Sequence, residues 1–441
     1  MIRIAQSIKL GLIIVLAVAC KRDEFMPDPV GEQIPHEEEQ LESMNEVIMS
    51  SSNSLFSKLW QRSVVKDKIS EGNVNYTVLL PSDHALKEGG WDEKRIAEAD
   101  QATVDSLVGI HCFLNAIGTE DLENRSDTYL AETLFEKAGL RYRVNTNAPI
   151  SYRFRVGLGL ENGVLKVNAI EMGPTSVKEI KEGRLWNVNR LVAVPQRTAW
   201  EAIKNDSRFS LYVALIEYTD ALYKETFRQA NGYYPADAVI AAAKAFDRNS
   251  PSYFDMIILE DAGTKMKYVN SFNTWFIPTD EAFKSAGYHS LADLISFNDS
   301  RGGLKTNLVS NGATSYYAVQ GEFATDSLLD YHHNWGRKID NFTATRNRNA
   351  SLFYPADLVQ GVLGNYPIAV STTIVNHLIF PLTDHTVTTY LYVPFDFPEK
   401  SVLQLKSNAN SRAQVSGESI NTLNGIVHGV DRLLKPKKFE N

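Results

Sequence analysis

The sequence is poor in cysteine, with Cys20 and Cys112 as its two thiols among 441 residues. A chain with so few thiols has no disulfide framework, so its domains must be stabilised by their hydrophobic cores. Basic residues are in deficit as well, because 45 Lys and Arg stand against 53 Asp and Glu and give a formal net charge of −8. Clustered basic residues supply most of the affinity for phosphates, so this balance argues against a nucleic-acid-binding protein.

The motifs of several enzyme and metal-site classes are also missing. The sequence contains no HExxH, CxxC or GxSxG, which argues against zinc sites and against a serine-hydrolase elbow. The segment GLGLENG at Gly157–Gly163 differs from the dinucleotide-binding GxGxxG and instead predicts a hairpin with Asn162 and Gly163 in its turn. We therefore expect no metal, no cofactor and no enzymatic activity, with a hydrolase built on two facing carboxylates as the less favoured alternative.

Long apolar runs are scarce, and none reaches the roughly 20 residues of a transmembrane helix. The run LGLIIVLAVA at Leu10–Ala19 has the length of a signal peptide and is followed at once by Cys20. Small residues before this cysteine make the segment similar to the lipobox of bacterial lipoproteins. The resemblance implies a signal peptide over residues 1–19 and lipid on Cys20, whose acyl chains would anchor the chain at about 0.8 kcal/mol per buried methylene.

Residues 20–39 are acidic, contain prolines and lack a hydrophobic period, which is typical of a tether. The charged residues directly after Cys20 resemble the export signals of some Gram-negative lipoproteins. We therefore expect an outer-membrane lipoprotein exposed at the surface of a Gram-negative bacterium. A plain signal peptide or a buried apolar N-terminus is the alternative interpretation.

The segment NTWFIPTDEAFKSAG at Asn273–Gly287 predicts a strand followed directly by a helix. Its apolar start is typical of a strand buried on both faces, and Pro278 cannot extend a ladder. Thr279 is placed to cap the helix that follows, and Asp280 and Glu281 put negative charge at its positive end.

A weaker copy of this segment, NYTVLLPSDHALKEGG, lies at Asn75–Gly90 and is offset by 197 residues. Two further pairs of segments follow in the same order, at offsets of 221 and 242. The rising offsets indicate insertions of 24 and 21 residues in the second copy, so one structural plan occurs twice. The further pairs are DSLVGIH at Asp105–His111 with DSLLDYH at Asp326–His332, and LWNVNRLV at Leu185–Val192 with VHGVDRLL at Val427–Leu434.

These segments together resemble the fasciclin domain. NGIVHGVDRLLKP at Asn424–Pro436 is similar to the second conserved box of the family, and SRFSLYVALIEYTDAL at Ser207–Leu222 is similar to its opening helices. The resemblance implies an α+β fold of two tandem fasciclin-like domains, each a twisted β wedge or sandwich with packed helices. We place the divergent first domain at residues 40–196 and the second, enlarged by insertions, at 197–437. The capping box at Ser290–Asp293 predicts a further helix in the second domain.

Two groups of residues are candidates for ligand binding. Aromatic residues next to prolines in the insertions could form a protein or glycan interface, or could belong to the core of the added elements. A Tyr-His pair resembles one that is linked to partner binding in some fasciclin relatives. For His332, as for His111 and His428, the alternative is a ring that donates to a backbone carbonyl and stabilises the fold. The candidates are Tyr331, His332, Tyr233, Tyr234, Phe353 and Tyr354.

Most members of the family that this sequence resembles are adhesive or interaction modules. The leading hypothesis is therefore a lipid-anchored protein of the cell envelope that binds a protein partner or a glycan without catalysis. The alternative is an accessory lipoprotein subunit of an outer-membrane complex that imports nutrient glycans, with a barrel protein as its partner. Both hypotheses include the membrane as a partner through the N-terminal lipid.

Overall fold

Most of the chain after residue 40 can be described from a computed structural model. Residues 42–441 belong to one compact unit. The predicted signal peptide, Cys20 and the tether lie outside the described residues, and none of the described helices is both long and apolar enough to cross a membrane. The structure describes residues 41–142, 150–234, 267–269, 272–301, 303–311, 314–320, 323–329, 331–332, 352–364, 367–375 and 384–439.

We refer to residues 42–196 as the first half and to residues 197–439 as the second half. The first half combines helices with two four-stranded sheets, in the orders β2-β1-β10-β9 and β3-β6-β7-β8. The first-half helices are α1 (Met44–Ser50), α2 (Ser54–Arg62), α3 (Val65–Ser70), α4 (Asp83–Glu88), α5 (Glu93–Glu98), α6 (Gln101–Ile110) and α7 (Glu120–Glu123). The strands are β1 (Tyr76–Pro81), β2 (Cys112–Leu114), β3 (Tyr129–Glu132), β4 (Leu140–Tyr142), β5 (Ile150–Ser151), β6 (Arg155–Glu161), β7 (Val164–Val167), β8 (Ile170–Glu171), β9 (Ser176–Ile180) and β10 (Gly183–Val188).

The second half contains a five-stranded sheet in the order β12-β20-β19-β18-β17 and two separate hairpins, β13–β14 and β15–β16. Its strand β11 pairs with β4 of the first half. The helices are α8 (Ala199–Lys204), α9 (Ser210–Asn231), α10 (Asp280–Ser285), α11 (Leu291–Asp299), α12 (Ala324–Leu328) and α13 (Gln360–Leu363). The strands are β11 (Lys267–Val269), β12 (Asn273–Pro278), β13 (Lys305–Asn311), β14 (Thr314–Gln320), β15 (Pro367–Val375), β16 (Asp384–Tyr392), β17 (Phe395–Asp396), β18 (Val402–Leu405), β19 (Asn408–Thr422) and β20 (Gly425–Val430). The fold is thus mixed α+β, with several sheets and helices.

A parallel strand pair occurs in each half with the same register. β1 pairs with β10 so that Tyr76 lies opposite Gly183, and β12 pairs with β20 so that Asn273 lies opposite Gly425. These residues differ by 197 and 242, the offsets of the first and third segment pairs in the sequence. Both glycines have positive φ, and a Cβ at either would lie 2.0 Å from the carbonyl oxygen of the opposite residue. Only glycine allows this close approach.

The predicted boundary between strand and helix is confirmed in both halves. β12 ends at Pro278 and is buried throughout, as expected for a central strand. Thr279 Oγ1 accepts a hydrogen bond of 3.2 Å from the amide three residues on, and Ser82 Oγ does the same in the first half. The capping box at Ser290–Asp293 is also present and starts α11. The predicted hairpin turn at Asn162–Gly163 joins β6 to β7 with both residues at positive φ.

The two halves share a hydrophobic cluster that contains buried residues of both. Tyr152 of the first half is buried against Phe272 of the second half, with ring centroids 6.2 Å apart. The hydroxyl of Tyr152 donates a hydrogen bond of 2.5 Å to the carbonyl oxygen of Leu423. The common cluster and this hydrogen bond fix one half against the other.

Cys112 is a buried core residue. Its side chain is fully buried in β2 and belongs to the core of the first half. Burial raises the pKa of the thiol well above its usual range, because the charged thiolate would be desolvated. A thiol in this state is a small core residue and a poor nucleophile.

Candidate functional site

His332 lies in the interior of the second half. Its Nδ1 is 2.9 Å from the carbonyl oxygen of Phe276, and its Nε2 accepts a hydrogen bond of 2.7 Å from the amide of Leu434. Burial lowers the pKa of the ring to about 4, so the imidazole is neutral at physiological pH. Because the ring is fully buried and uses both nitrogens, His332 holds the end of the chain against β12, and no face of it is open to a ligand.

His111 makes the matching link in the first half. Its Nε2 accepts a hydrogen bond of 3.0 Å from the amide of Val192, and its Nδ1 lies 2.8 Å from the carbonyl oxygen of Leu107. His111 and His332 differ by 221 residues, and Val192 and Leu434 differ by 242, so the bonded amides also follow the offsets of the repeat. Burial again lowers the pKa of the ring to about 4.

His428 corresponds to Trp186 of the first half, and both rings bond to a backbone carbonyl. His428 Nε2 lies 2.7 Å from the carbonyl oxygen of Phe353, and its Nδ1 lies 2.8 Å from Ser419 Oγ. Trp186 Nε1 donates a hydrogen bond of 2.8 Å to the carbonyl oxygen of Ile117. The two side chains differ in size and chemistry, but each can place a ring N–H at the same point.

Phe353 therefore occupies the position that Ile117 holds in the first half. The amide of Phe353 donates to Thr274 Oγ1 at 2.9 Å, and the amide of Ile117 donates to Thr77 Oγ1 at 2.7 Å. Thr77 and Thr274 are the threonines that open the repeated strands in the sequence. The Phe353 side chain is 5% exposed and packs in the core of the second half.

Tyr354 is buried at the junction of the two halves, with 2% of its surface exposed. Its ring lies directly over Gly157, where a Cβ would be 2.4 Å from Tyr354 Cε2. The carboxylate of Asp357 accepts hydrogen bonds from the amide of Tyr354 at 2.8 Å and from the amide of Thr128 in the first half at 2.7 Å. Of the two interpretations left open by the sequence for Phe353 and Tyr354, their burial matches the one in which they are core residues.

Tyr331 is half-buried beside Phe395, with ring centroids 6.5 Å apart. Its hydroxyl lies 3.3 Å from Ser407 Oγ. The two residues of the predicted Tyr-His pair thus differ in exposure, because Tyr331 is partly exposed to solvent and His332 is fully buried.

Tyr233 and Tyr234 are solvent-exposed, with 56% and 65% of their surfaces accessible. They follow α9, which ends at Gly232 in a left-handed conformation. Asn231 at the end of this helix exchanges two hydrogen bonds, of 2.8 and 2.7 Å, with the backbone of Tyr317 in β14. Tyr317 is also exposed, at 43%. We call Tyr233, Tyr234 and Tyr317 the tyrosine surface.

Polar side chains on the last turns of α9 are fixed beside these rings. Glu225 accepts hydrogen bonds from Arg228 Nε at 2.8 Å, from Gln229 at 3.0 Å and from the Tyr234 hydroxyl at 3.4 Å. The bond from Arg228 is the main cause that lowers the pKa of Glu225 to about 2, so this carboxylate is ionised. Tyr233 makes an edge contact with the Phe227 ring at 5.5 Å. Flat rings beside oriented polar groups are common to protein and carbohydrate interfaces.

Sequence reasoning did not find Tyr317 or its neighbour Leu308. Leu308 lies directly opposite Tyr317 in the β13–β14 hairpin and is 60% exposed. The hairpin could have been found from its paired β-formers, but its contact with α9 depends on tertiary structure. Within the described ranges, no group of three or more His, Cys, Asp or Glu side chains is placed to hold a metal ion.

No family model matches the chain, and no curated protein matches it. Among solved structures, it is similar to a FAS1 domain pair from the insect cell adhesion molecule Fasciclin I, described as a novel fold. The similarity covers 87% of this chain and 97% of that chain, with 11% sequence identity and a TM-score of 0.29. The correspondence between the two halves is seen in the strand register and hydrogen bonds within this chain.

Proposed function

We propose that this chain is a pair of fasciclin-like domains, anchored in the cell envelope by lipid on Cys20, that binds a protein partner or a glycan through the tyrosine surface without catalysis. The observation that supports binding is the exposure of three tyrosines beside an ordered Glu225–Arg228 pair. Exposed aromatic side chains are costly to leave in water and are enriched at recognition sites.

The second half is the proposed reader, because the end of its long helix α9 and its β13–β14 hairpin contribute the tyrosines. The candidates Phe353, Tyr354 and His332 are buried and contribute indirectly, by stabilising the core. The first half supplies a fixed neighbour through the shared core.

The binding role can be tested with a Tyr233→Ala/Tyr234→Ala double variant. Both variant and unchanged protein would be applied to an array of bacterial and dietary glycans, and used as bait for detergent-solubilised envelope proteins. We expect the double variant to lose the signal while its melting temperature stays the same, because both side chains are exposed. A control is Tyr218→Ala, a half-buried tyrosine on the same helix but away from its end, which should leave binding unchanged.

The anchor is tested separately by feeding cells a fatty-acid analogue that can be labelled. Cys20→Ala should abolish labelling, whereas Cys112→Ala should leave it unchanged because that thiol is buried. Labelling that persists in Cys20→Ala would contradict lipid attachment at this residue.

The same envelope pull-down separates the accessory-subunit alternative. Co-purification with one outer-membrane barrel at a fixed ratio, unaffected by the tyrosine substitutions, would favour a permanent subunit of an importer. Binding to a glycan by the isolated protein would favour the proposed reader.

A further inference from the structure

Strand β3 is an edge strand of its sheet. The sheet has the order β3-β6-β7-β8, so β3 pairs with β6 on one side over Tyr129–Glu132. Edge strands present backbone donors and acceptors that can pair with another chain. Proteins commonly protect such edges, so an edge that borders an open cleft is a candidate for pairing with another chain.

The outward-facing backbone groups of β3 follow from the register. Leu130 lies opposite Gly157 of β6. The backbone of Gly157 points away from β3 and bonds to Asn168, which directly follows β7. The amide of Gly157 donates to Asn168 Oδ1 at 2.9 Å, and the amide of Asn168 donates to the carbonyl oxygen of Gly157 at 2.7 Å. In an antiparallel ladder, such a residue faces a non-hydrogen-bonded partner, so the N–H and C=O of Leu130 point away from β6. Thr128, two residues earlier, points the same way.

The outer edge of β3 borders a cleft of about 600 Å³ between the two halves. This volume is within the range of roughly 300–1,000 Å³ that is typical of ligand sites. One wall consists of residues 125–130, including Leu130, and the opposite wall consists of second-half residues. Those residues are Leu352, Phe353, Asp357, Gly361, Val362 and Leu363.

Asp357 already makes the contact at one end of this edge that a neighbouring strand would make. Its Oδ1 accepts the hydrogen bond of Thr128 N at 2.7 Å, where an added strand would place a carbonyl oxygen. Its Oδ2 is held by Tyr354 N, so the carboxylate is fixed. The next outward pair, at Leu130, faces the cleft itself.

We propose that this cleft binds an extended peptide segment of a protein partner, which pairs with the backbone of Leu130 as an added strand. The proposal rests on the binding role proposed above and specifies a second contact for a protein partner. A strand suits the site because it offers an acceptor and a donor at the spacing of the Leu130 groups. Leu352 and Leu363 of the opposite wall are almost fully buried and Asp357 lies beside them. Arg125 and Asp127 form an ion pair of 2.9 Å at the rim. The preferred segment therefore has polar side chains toward the rim.

A phage-displayed library of random 12-residue peptides, selected on the whole purified protein, provides the probe. Binding of a selected, fluorescent peptide would be measured by anisotropy. Leu130→Pro removes the outward amide and none of the β3–β6 ladder bonds, and proline is tolerated on edge strands. We expect an affinity loss of about tenfold, the effect of one lost backbone hydrogen bond.

Val177→Pro is the matched control, because it removes an outward amide from β9, the edge strand of the other first-half sheet. It should leave peptide affinity unchanged. Gly361→Phe is a second variant, since a Cβ there meets no atom within 4 Å and a large side chain would fill the cleft. It should abolish binding even if Leu130→Pro does not fold.

Hydrogen exchange gives an independent readout, in which bound peptide should protect the amide of Leu130. The proposal is overturned if no peptide is selected, or if Gly361→Phe binds as well as the unchanged protein. It is also overturned if Tyr233→Ala/Tyr234→Ala abolishes peptide binding, because the peptide then lies on the tyrosine surface. Failure of the tyrosine surface to bind any glycan or partner would refute the proposed function and leave the peptide result standing.

Discussion

The two halves of this protein have the same internal framework but differ in what is added to it. Each half has a parallel strand pair, a strand threonine whose hydroxyl accepts from a backbone amide, and a buried histidine whose Nε2 accepts from a backbone amide, all at matching positions. Helix α2 of the first half has 9 residues, whereas α9, at the matching place in the second half, has 22. The extension leads to the tyrosine surface. The comparison indicates that the framework provides stability, whereas recognition is expected in the additions.

The exchange of Trp186 for His428 shows which property of a framework position matters. The residues differ in volume and in ring chemistry, yet both donors bond to the carbonyl oxygen of the residue that also bonds the strand threonine. An apparently eroded sequence position can therefore retain its structural role.

Lowering the pH should produce the largest difference in stability between the two halves. The pKa of each buried histidine is lowered from 6.5 to about 4, so the unfolded chain binds the proton first as pH falls. Stability from these groups is complete above about pH 6.5 and decreases towards pH 4, by about 3 kcal/mol for each ring. The first half has His111, and the second has His332 and His428. We expect the second half to lose about twice as much.

Hydrogen exchange with mass spectrometry, corrected for intrinsic rates, would measure each half at pH 7 and pH 4.5 in the whole protein. Most of the carboxylates with lowered pKa values titrate below this window, so the difference between the halves reports the histidines. Equal losses in both halves would refute this account of the buried rings.

Removing one ring should have the next largest effect. His332→Ala leaves the amide of Leu434 and the carbonyl of Phe276 without their partner and opens a cavity. We expect a loss of about 3 kcal/mol in the free energy of unfolding. Urea denaturation at pH 7 measures it, with exposed His289→Ala as the control that should change little. A small loss for His332→Ala would mean that water replaces the ring without cost.

One added methyl group should destabilise the junction between the halves. In Gly157→Ala, the new Cβ would lie 2.4 Å from Cε2 of the buried Tyr354 ring and 2.6 Å from Thr128 Cγ2. We expect a cost of about 2 kcal/mol from overpacking. Gly159→Ala, two residues on, meets nothing within 4 Å and should be tolerated. Thermal melting of both variants would test this, and equal melting temperatures would contradict a tightly packed junction.

The sequence predicted those features that depend on neighbouring residues. A proline ends β12, a hydroxyl caps α10, and the capping box starts α11, because each effect acts within three or four residues. The repeat offsets also predicted which strands correspond.

Exposure could not be predicted in the same way. The pattern YPAD occurs after Tyr233 and again after Phe353, yet Tyr234 is 65% exposed and Tyr354 is 2% exposed. The difference arises from Gly157, which leaves room for the Tyr354 ring and lies nearly 200 residues away in sequence. The cleft beside Leu130 depends on the junction for the same reason.

Replacing Asp280 should give the smallest loss of stability, and Asp83 allows a direct comparison with the first half. The charge of Asp280 lies at the start of its own helix, as the sequence predicts. Its carboxylate also accepts hydrogen bonds from Ser210 Oγ and from the amide of Leu211 at 2.8 Å, at the start of α9. Asp83 does the same for α2, through Ser54 Oγ at 2.7 Å and the amide of Leu55 at 2.9 Å.

Each of these aspartates thus caps a helix distant in sequence, and its replacement should cost about 1 kcal/mol, as for other N-terminal caps. Asp280→Ala and Asp83→Ala should therefore give similar shifts in urea denaturation. Glu281→Ala, with an exposed side chain in the same turn as Asp280, should give almost none. If Asp280→Ala and Glu281→Ala were alike, the charge would act only through the dipole of α10, and the correspondence between the two halves would end at their strands.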